Sequence, residues 1–162
     1  NKPQCFVGLG FLTGEHAPGV KVPLRDTFEM AHNAMKAHGR AVQMLRAYGK
    51  QKLMIGYAPT SSVCYPETDH PEDIEAARKA YFSLHEDEYE RYHKPIYITE
   101  NGLSCHDVIS LDGKVHDPNR IDFLARYLRE LRKAAEEADI RGYFQWSLMD
   151  NFEWAKGYSD RF

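Results

Sequence analysis

The stretch Pro95–Ser104, which reads PIYITENGLS, decides the fold. Its apolar, β-branched run Ile96–Ile98 is typical of a buried strand, and this run is followed closely by Glu100 and the turn dipeptide Asn101-Gly102. Barrel enzymes place their catalytic groups at the C-terminal ends of such strands. Glu100 is therefore a candidate catalytic carboxylate; the alternative is a solvated strand-terminal residue without a role in catalysis.

A second strand with the same kind of ending follows about forty residues later. Residues 142–154 read GYFQWSLMDNFEW, in which an apolar run opens into a loop that carries Glu153 between apolar neighbours. Both tryptophans of the chain, Trp146 and Trp154, lie in this segment. Two strand-end carboxylates, one of them beside both tryptophans, favour a built site over a chance arrangement.

Four segments resemble the signature motifs of glycoside hydrolase family one, the retaining β-glucosidases and their 6-phospho-β-glucosidase and β-galactosidase relatives. They are Ile98–Gly102 (ITENG), Trp146–Trp154 (WSLMDNFEW), Gly157–Phe162 (GYSDRF) and Asn1–Cys5 (NKPQC). The last resembles the family's Asn-Glu-Pro motif, except that Lys2 stands where the family has its acid/base Glu. Because the motifs are long, ordered and specific, the chain is identified as a member of this family.

The resemblance implies an α/β fold, the (β/α)8 TIM barrel of a glycosidase. Such a barrel needs roughly 200–250 residues, so a chain of 162 residues holds only about half of one. We expect residues 1–162 to form a single partial TIM-barrel domain with the equivalents of strands four, five, seven and eight. Near residues 84–85 the helix after strand five meets the helix before strand seven, which predicts a junction of non-adjacent family segments.

Hydrophobic periodicity predicts alternating helices and strands, and this alternation implies a parallel sheet. The predicted elements are a helix capped by Asp26 or Thr27 that runs to about Tyr48, a strand at residues 52–58, helices that start near Pro71 and Pro118, and a last strand after residue 141. The helical stripes expected to pack on the sheet are Met30, Ala34, Ala37, Ala41, Met44 and Tyr48; Ile74, Ala77 and Tyr81; and Ile121, Leu124, Leu128, Leu131, Ala135 and Ala138.

The resemblance also assigns roles to the site residues. Glu100 takes the position of the nucleophile in a retaining double displacement on a β-glucoside or related sugar. Glu153 and Trp154 would bind hydroxyls of the sugar, and Trp146 would form the platform beneath it, since an indole face stacks on a pyranose. Asn1, which would reach the 2-hydroxyl, and Phe162 complete the expected substrate-binding residues.

Lys2, in the acid/base position, changes the functional expectation. A lysine at neutral pH is a cation without a useful proton to donate, and loss of general acid–base help costs roughly 10²–10⁴ in rate. Three interpretations remain open: an inactivating change, a repurposed amine that forms a Schiff base, and a designed chain that no longer performs glycosidase chemistry. We favour impaired hydrolysis. The alternative outside enzymes is a non-catalytic barrel fragment, a scaffold or a carbohydrate-binding piece.

Composition excludes several other classes of protein. A formal net charge of −3 gives no basic field for nucleic acid, and no apolar run is long enough to span a membrane. The three cysteines and eight histidines show no metal-ligand spacing, so neither a metal nor a cofactor is expected. The absence of a signal peptide favours the cytoplasm. Open strand edges would be relieved by a complementary barrel fragment or by another copy of the chain.

Overall fold

The computed structural model describes residues 2–60, 64–84 and 92–162. Asn1 and most of the predicted junction near residues 84–85 lie outside the described residues. The chain divides into two units, residues 1–62 and residues 63–162. Each unit is described by itself.

The first unit consists of two α-helices joined by a π-helix. Helix α1 is Pro3–Val7, the π-helix is Gly8–Leu12, and helix α2 is Leu24–Tyr48. Pro3 suits the first turn of α1, because its missing N–H would have no partner there in any case. Among the described residues of this unit, Val7 is the buried apolar residue, at 6% exposure.

The predicted cap of α2 is wrong. The helix starts at Leu24, and Pro23 precedes it without a capping side chain. Thr27 instead lies within the first turn, where its buried hydroxyl donates a 2.6 Å hydrogen bond to the Leu24 carbonyl. Proline fixes φ near the helical value and so allows the chain to enter the helix earlier than the cap residues indicated. The far end of the predicted stripe is not buried, since Met44 and Tyr48 are exposed.

The strand predicted at residues 52–58 is not formed, so this prediction is also wrong. A strand is stable only when a neighbouring strand satisfies its N–H and C=O groups. Here the Ala58 carbonyl accepts a 2.7 Å hydrogen bond from the Lys2 N–H, and the Thr60 N–H donates to the Gln4 side chain at 3.4 Å. These contacts hold the end of the segment but do not make a ladder.

In its described residues, the second unit contains two strands, two longer α-helices and a short 3₁₀ helix. Helix α3 is Pro71–Leu84, strand β1 is Ile96–Asn101, helix α4 is Pro118–Glu137, strand β2 is Ile140–Gln145, and the 3₁₀ helix is Trp154–Lys156. In the described residues β1 and β2 form a two-stranded parallel sheet. The predicted order of strand, helix and parallel strand is therefore confirmed for this pair, and β1 extends through Glu100 to Asn101.

The inward face of α4 is rotated relative to the predicted stripe. Ile121 is 61% exposed and Leu128 is 45% exposed, although both were expected to pack inward. The side chain that α4 buries most is Arg120, at 7% exposure, and Leu124 and Leu131 are half-buried. The inward face of α4 therefore includes a charged residue, Arg120.

Little apolar side-chain surface is buried in the described part of the chain. Val7 and Ala77 are the buried apolar residues there, and none of the described side chains is below 2% exposure. Ile74, which was predicted to be buried on α3, is 49% exposed, and Tyr81 is not described at the side-chain level. Among the described residues, none of the helices has the length and hydropathy needed to cross a bilayer, and no cluster of His, Cys, Asp and Glu could hold a metal ion.

Candidate active site

The C-terminal ends of β1 and β2 are hydrogen-bonded to each other. Asn101 pairs with Gln145, and the Trp146 N–H donates to the Asn101 carbonyl at 2.9 Å. The Tyr143 hydroxyl donates a 2.7 Å hydrogen bond to the Asn101 side chain, and burial raises the pKa of this phenol. The residue that follows Glu100 is thus held from both its backbone and its side chain.

Gly102 is required by the close approach of the two strand ends. A Cβ atom at this position would lie 1.6 Å from the Trp146 carbonyl oxygen and 2.7 Å from its carbonyl carbon. No side chain fits such a space, so only glycine lets the chain turn away directly after Glu100 and Asn101. The turn dipeptide recognised in the sequence is explained here by contact with the neighbouring strand.

Glu100 lies in the last part of β1, one residue before the end of the strand. Its side chain is exposed, and it follows the also exposed Thr99. A strand-end carboxylate that is reachable from solvent and backed by a fixed Asn101 can approach a bound molecule.

The loop after β2 begins with Trp146. Its indole ring meets the ring of Phe162 edge to face, with 6.2 Å between the ring centroids. The peptide bond between Trp146 and Ser147 is cis. The Ser147 hydroxyl donates to the Met149 carbonyl at 2.6 Å. Two of the predicted sugar-binding residues, Trp146 and Phe162, are therefore in direct contact.

Asp150 holds the two ends of this loop together. Its carboxylate accepts a 2.9 Å hydrogen bond from the Phe162 N–H and a 2.5 Å hydrogen bond from Arg161. The Phe162 amide and the Arg161 guanidinium lower the pKa of the Asp150 carboxyl below its ordinary value. Segment 146–162 is called the sugar-binding loop below because it carries predicted sugar-binding residues, and it is thus closed on itself near Trp146.

Glu153 and Trp154 lie at a tight turn in the middle of the sugar-binding loop. The Glu153 N–H donates to the Gly157 carbonyl at 2.7 Å, and the 3₁₀ helix Trp154–Lys156 lies between them. Gly157 has φ of 61°, a left-handed value that favours glycine. Glu153 is half-buried, whereas Trp154 is 69% exposed. The sugar contacts of both residues stay predictions.

Sequence reasoning missed Arg120, which fills the space behind these loops. Its buried guanidinium contacts the segment after β1, the start of α4 and Arg161. Nearby, the Ser104 hydroxyl donates to Asp160 at 3.0 Å and the Cys105 N–H donates to the Arg161 carbonyl at 2.9 Å. The position of Arg120 beside the apolar residues that start α4 could have indicated this role, because a charged side chain on the inner face of a helix needs hydrogen-bond acceptors.

A cavity of about 400 Å³ lies beside α4. Its lining consists of Tyr65, Leu103, Cys105, Asn119, Asp122, Phe123, Arg126 and Tyr127. Among the residues that the structure describes, none of the predicted catalytic or sugar-binding residues lines it.

Lys2 belongs to the first unit. It has φ of 46°, a left-handed value, and directly precedes α1. Its N–H donates to the Ala58 carbonyl at 2.7 Å, and its side chain is half-buried. The backbone at Lys2 is thereby fixed to residue 58, which the sequence assigned to the next strand of the barrel.

A sequence profile described as glycosyl hydrolase family 1 matches residues 1–89 and again residues 81–162, and so covers the whole chain. The chain belongs to glycosyl hydrolase family 1. Beta-glucosidase A of Thermotoga maritima is 29% identical over 252 residues, which include all of this chain and 56% of that enzyme. The 6-phospho-beta-galactosidase of Staphylococcus epidermidis is 35% identical over 161 residues, covering 97% of this chain and 31% of that protein.

Solved structures of the family confirm the expected fold. The Thermotoga maritima beta-glucosidase in complex with glucoimidazole matches all of this chain with a TM-score of 0.77 and 27% identity, and the match covers 56% of that structure. The chain is thus part of a family 1 TIM barrel. It spans about half the length of the Thermotoga relatives that it matches in full.

Proposed function

We propose that this family 1 chain carries the nucleophile side of a retaining β-glycoside hydrolase site that acts on β-D-glucosides or close relatives. The observation that carries the proposal is the hydrogen bond between the Asn101 carbonyl and the Trp146 N–H, 2.9 Å long. It joins the strand end that bears Glu100 to the strand end that opens the sugar-binding loop. A sugar stacked on Trp146 would be within the same strand-end region as the Glu100 carboxylate.

In the proposed reaction Glu100 attacks the anomeric carbon. The bond from that carbon to the leaving oxygen breaks while a covalent glycosyl–Glu100 ester forms, and water later cleaves the ester with net retention. A carboxylate suits this role, because it stabilises an oxocarbenium-like transition state and can depart again. Its exposed position at the end of β1 supports the assignment.

Lys2 is proposed to impair both halves of this reaction. In the first half no carboxylic acid protonates the leaving oxygen, and in the second half no carboxylate deprotonates the attacking water. A leaving group that departs as a stable anion needs no proton, so it bypasses the first defect. The second defect remains, and the glycosyl–Glu100 ester should accumulate.

The substrate class rests on relatives. The Thermotoga enzyme is named a beta-glucosidase and has been solved in complex with glucoimidazole, whereas the Staphylococcus relative is named a 6-phospho-beta-galactosidase. We therefore propose a β-D-glucoside as the first substrate to test, with 6-phosphorylated glycosides as the comparison.

The test is a pre-steady-state assay of the full chain with 2,4-dinitrophenyl β-D-glucoside. We expect a burst of dinitrophenol followed by slow turnover, and faster turnover in azide, because this anion attacks the ester without needing a base. Glu100→Gln should abolish the burst. A folded chain that shows no burst, or a burst that survives in Glu100→Gln, would contradict the proposal. Borohydride trapping with an aldehyde tests the Schiff-base alternative at Lys2 in parallel.

A further inference from the structure

Arg120 connects three segments of the second unit through one guanidinium. Its Nε donates to the Leu103 carbonyl at 3.2 Å, and its Nη2 donates to the carbonyls of Cys105 and Arg161 at 3.1 and 2.7 Å. Its Nη1 donates to Asp107 at 2.9 Å and to Asp117 at 2.8 Å. An arginine has five N–H groups, and this side chain uses one for each of these five acceptors.

Two of the segments that Arg120 joins carry or adjoin the residues of the candidate site. Leu103–Asp107, called the nucleophile loop below, begins directly after Glu100, Asn101 and Gly102. Arg161 is the next-to-last residue of the sugar-binding loop and is paired with Asp150, which also binds the Phe162 N–H. Phe162 in turn contacts Trp146. Hydrogen bonds, an ion pair and one aromatic contact therefore connect the nucleophile loop through Arg120 to the Trp146 platform.

The contacts to backbone carbonyls distinguish this arrangement from an ordinary ion pair. Asp107 and Asp117 alone would neutralise the guanidinium. Burial lowers the pKa of Arg120, but the hydrogen bonds to these two carboxylates bring it above its ordinary value. Three further N–H groups are spent on carbonyls of two separate loops. The rigid planar fork of arginine gathers carbonyls in a fixed geometry, which a lysine with three donors on one atom cannot reproduce.

We propose that Arg120 is a positioning residue that fixes the nucleophile loop against the sugar-binding loop, so that Glu100 and the Trp146 platform face the same sugar. This inference rests on the proposed function. Arg120 itself does not contact the substrate; it acts through the backbone of the two loops.

The first test uses the dinitrophenol burst of the full chain, measured over a range of glucoside concentrations. In Arg120→Lys we expect the limiting burst rate to fall roughly tenfold to a hundredfold, the size of effect expected from a misplaced reacting group. The dissociation constant should change less, because the sugar can still stack on Trp146 while Glu100 is no longer aligned. A wild-type limiting rate, or a change confined to the dissociation constant, would overturn the proposal.

Two matched variants separate carbonyl binding from charge pairing. Asp107→Asn removes one carboxylate but leaves all three carbonyl contacts, so its limiting burst rate should stay within about twofold of wild type. Arg126→Lys, an exposed residue of the same helix that pairs with Asp122 at 2.8 Å, should likewise have no effect. If Asp107→Asn loses as much rate as Arg120→Lys, Arg120 acts as an ion pair and the proposal is wrong.

A second readout does not depend on catalysis. Hydrogen exchange of the Cys105 and Phe162 amides should accelerate in Arg120→Lys, while the Ile96 and Trp146 amides of the sheet keep their protection. If each of the four amides exchanges at the same rate in Arg120→Lys as in the unchanged chain, the proposal is wrong. This result is distinguishable from a wild-type chain without a burst, which would instead contradict the proposed function.

If Arg120→Lys does not fold, Asp150→Asn tests the same path at its other end. This variant weakens the contacts to Arg161 and to the Phe162 N–H without leaving a buried cation. We expect the same fall in the limiting burst rate and the same faster exchange at Phe162. A folded Asp150→Asn chain with wild-type values for both would overturn the proposal.

Discussion

Gly102 shows how a single residue fixes the distance between the two strand ends. Because a Cβ atom there would overlap the Trp146 carbonyl, Gly102→Ala must push the ends of β1 and β2 apart. We expect the free energy of unfolding to fall by about 1–3 kcal/mol, the usual cost of overpacking. Urea titration followed by tryptophan fluorescence measures this change near Trp146 itself.

Gly39→Ala is the matched control for Gly102→Ala. It adds the same methyl group within α2, where nothing lies within 4 Å of the added atom. This control should be stabilised by roughly 0.5–1 kcal/mol, because alanine loses less conformational entropy in a helix. Equal effects of the two substitutions would show that the contact at Gly102 does not constrain the site.

Lys2 offers a prediction about chemistry rather than stability. Lys2→Glu should raise the turnover of alkyl β-glucosides, which need a proton donor, by up to roughly 10²–10⁴. The gain in the burst rate with dinitrophenyl glucoside should be much smaller, since that leaving group departs unaided. Steady-state and burst rates of the unchanged chain and of Lys2→Glu measure the difference. Equal gains on both substrates would mean that the defect at Lys2 is structural.

At the scale of helices and strands, the sequence predicted the features that depend on local residue pattern. It missed the features that depend on contacts with neighbouring segments. Local pattern predicted the end of α2 near Tyr48, the starts of α3 and α4 near Pro71 and Pro118, and the parallel pairing of β1 with β2, but not the start of α2 at Leu24. A strand was predicted at residues 52–58 but is not formed, because β-propensity alone cannot supply the neighbouring strand that a hydrogen-bonded ladder needs.

The same limit applies to the candidate site. The motifs placed Glu100 and Trp146 at adjacent strand ends, as the structure has them. They gave no indication of Arg120, because its partners are mostly backbone carbonyls of two loops that are distant in sequence. Backbone acceptors leave no trace in residue types, so the sequence signal for Arg120 was limited to a cation beside the apolar residues that start α4.

The rotated face of α4 makes a prediction for the helix as an element. Leu124→Lys should destabilise the chain by more than about 1 kcal/mol, since it introduces a charge on the half-buried face. Ile121→Lys, on the exposed face, should change the unfolding free energy by no more than about 0.5 kcal/mol. Urea midpoints of the two variants give the comparison. Equal losses of unfolding free energy in the two variants would show that Ile121 packs inward, as the sequence predicted.

At the scale of the whole molecule, the main feature is that little apolar side-chain surface is buried in the described residues. Exposed apolar side chains are numerous, and they include Phe28, Tyr48, Leu111, Phe144 and Leu148. A two-stranded sheet also leaves both outer strand edges unpaired in the described residues. We therefore propose that a complementary barrel fragment or another copy of the chain covers these surfaces.

This proposal predicts concentration-dependent association of the isolated chain. Light scattering should give a mass above 18.7 kDa that rises with concentration, and a dye that binds apolar surface should fluoresce strongly. Added polypeptide from the other half of a family 1 barrel should reduce both signals. A monomer at all concentrations, with cooperative unfolding and no dye binding, would show that the chain needs no partner.

The junction near residues 84–85 stays a prediction at this scale. It is supported by the two family matches, which meet at residues 81–89, and by the alignment with the Thermotoga enzyme, which extends over 252 residues although the chain has 162. The relative therefore contains residues within the matched stretch that have no counterpart here. A barrel that lacks an internal segment leaves unpaired edges, in agreement with the expected association.

We propose above all that Glu100 is the nucleophile that attacks a bound β-glucoside. Incubation of the full chain with 2,4-dinitrophenyl 2-deoxy-2-fluoro-β-D-glucoside, whose fluorine slows hydrolysis of the glycosyl ester, tests it by mass spectrometry of the digested protein. We predict one sugar adduct per chain, located on Glu100 within the peptide that contains Pro95–Ser104, and no adduct in Glu100→Gln. A folded chain that forms no adduct, or carries it on Glu153 or Lys2, would contradict the account.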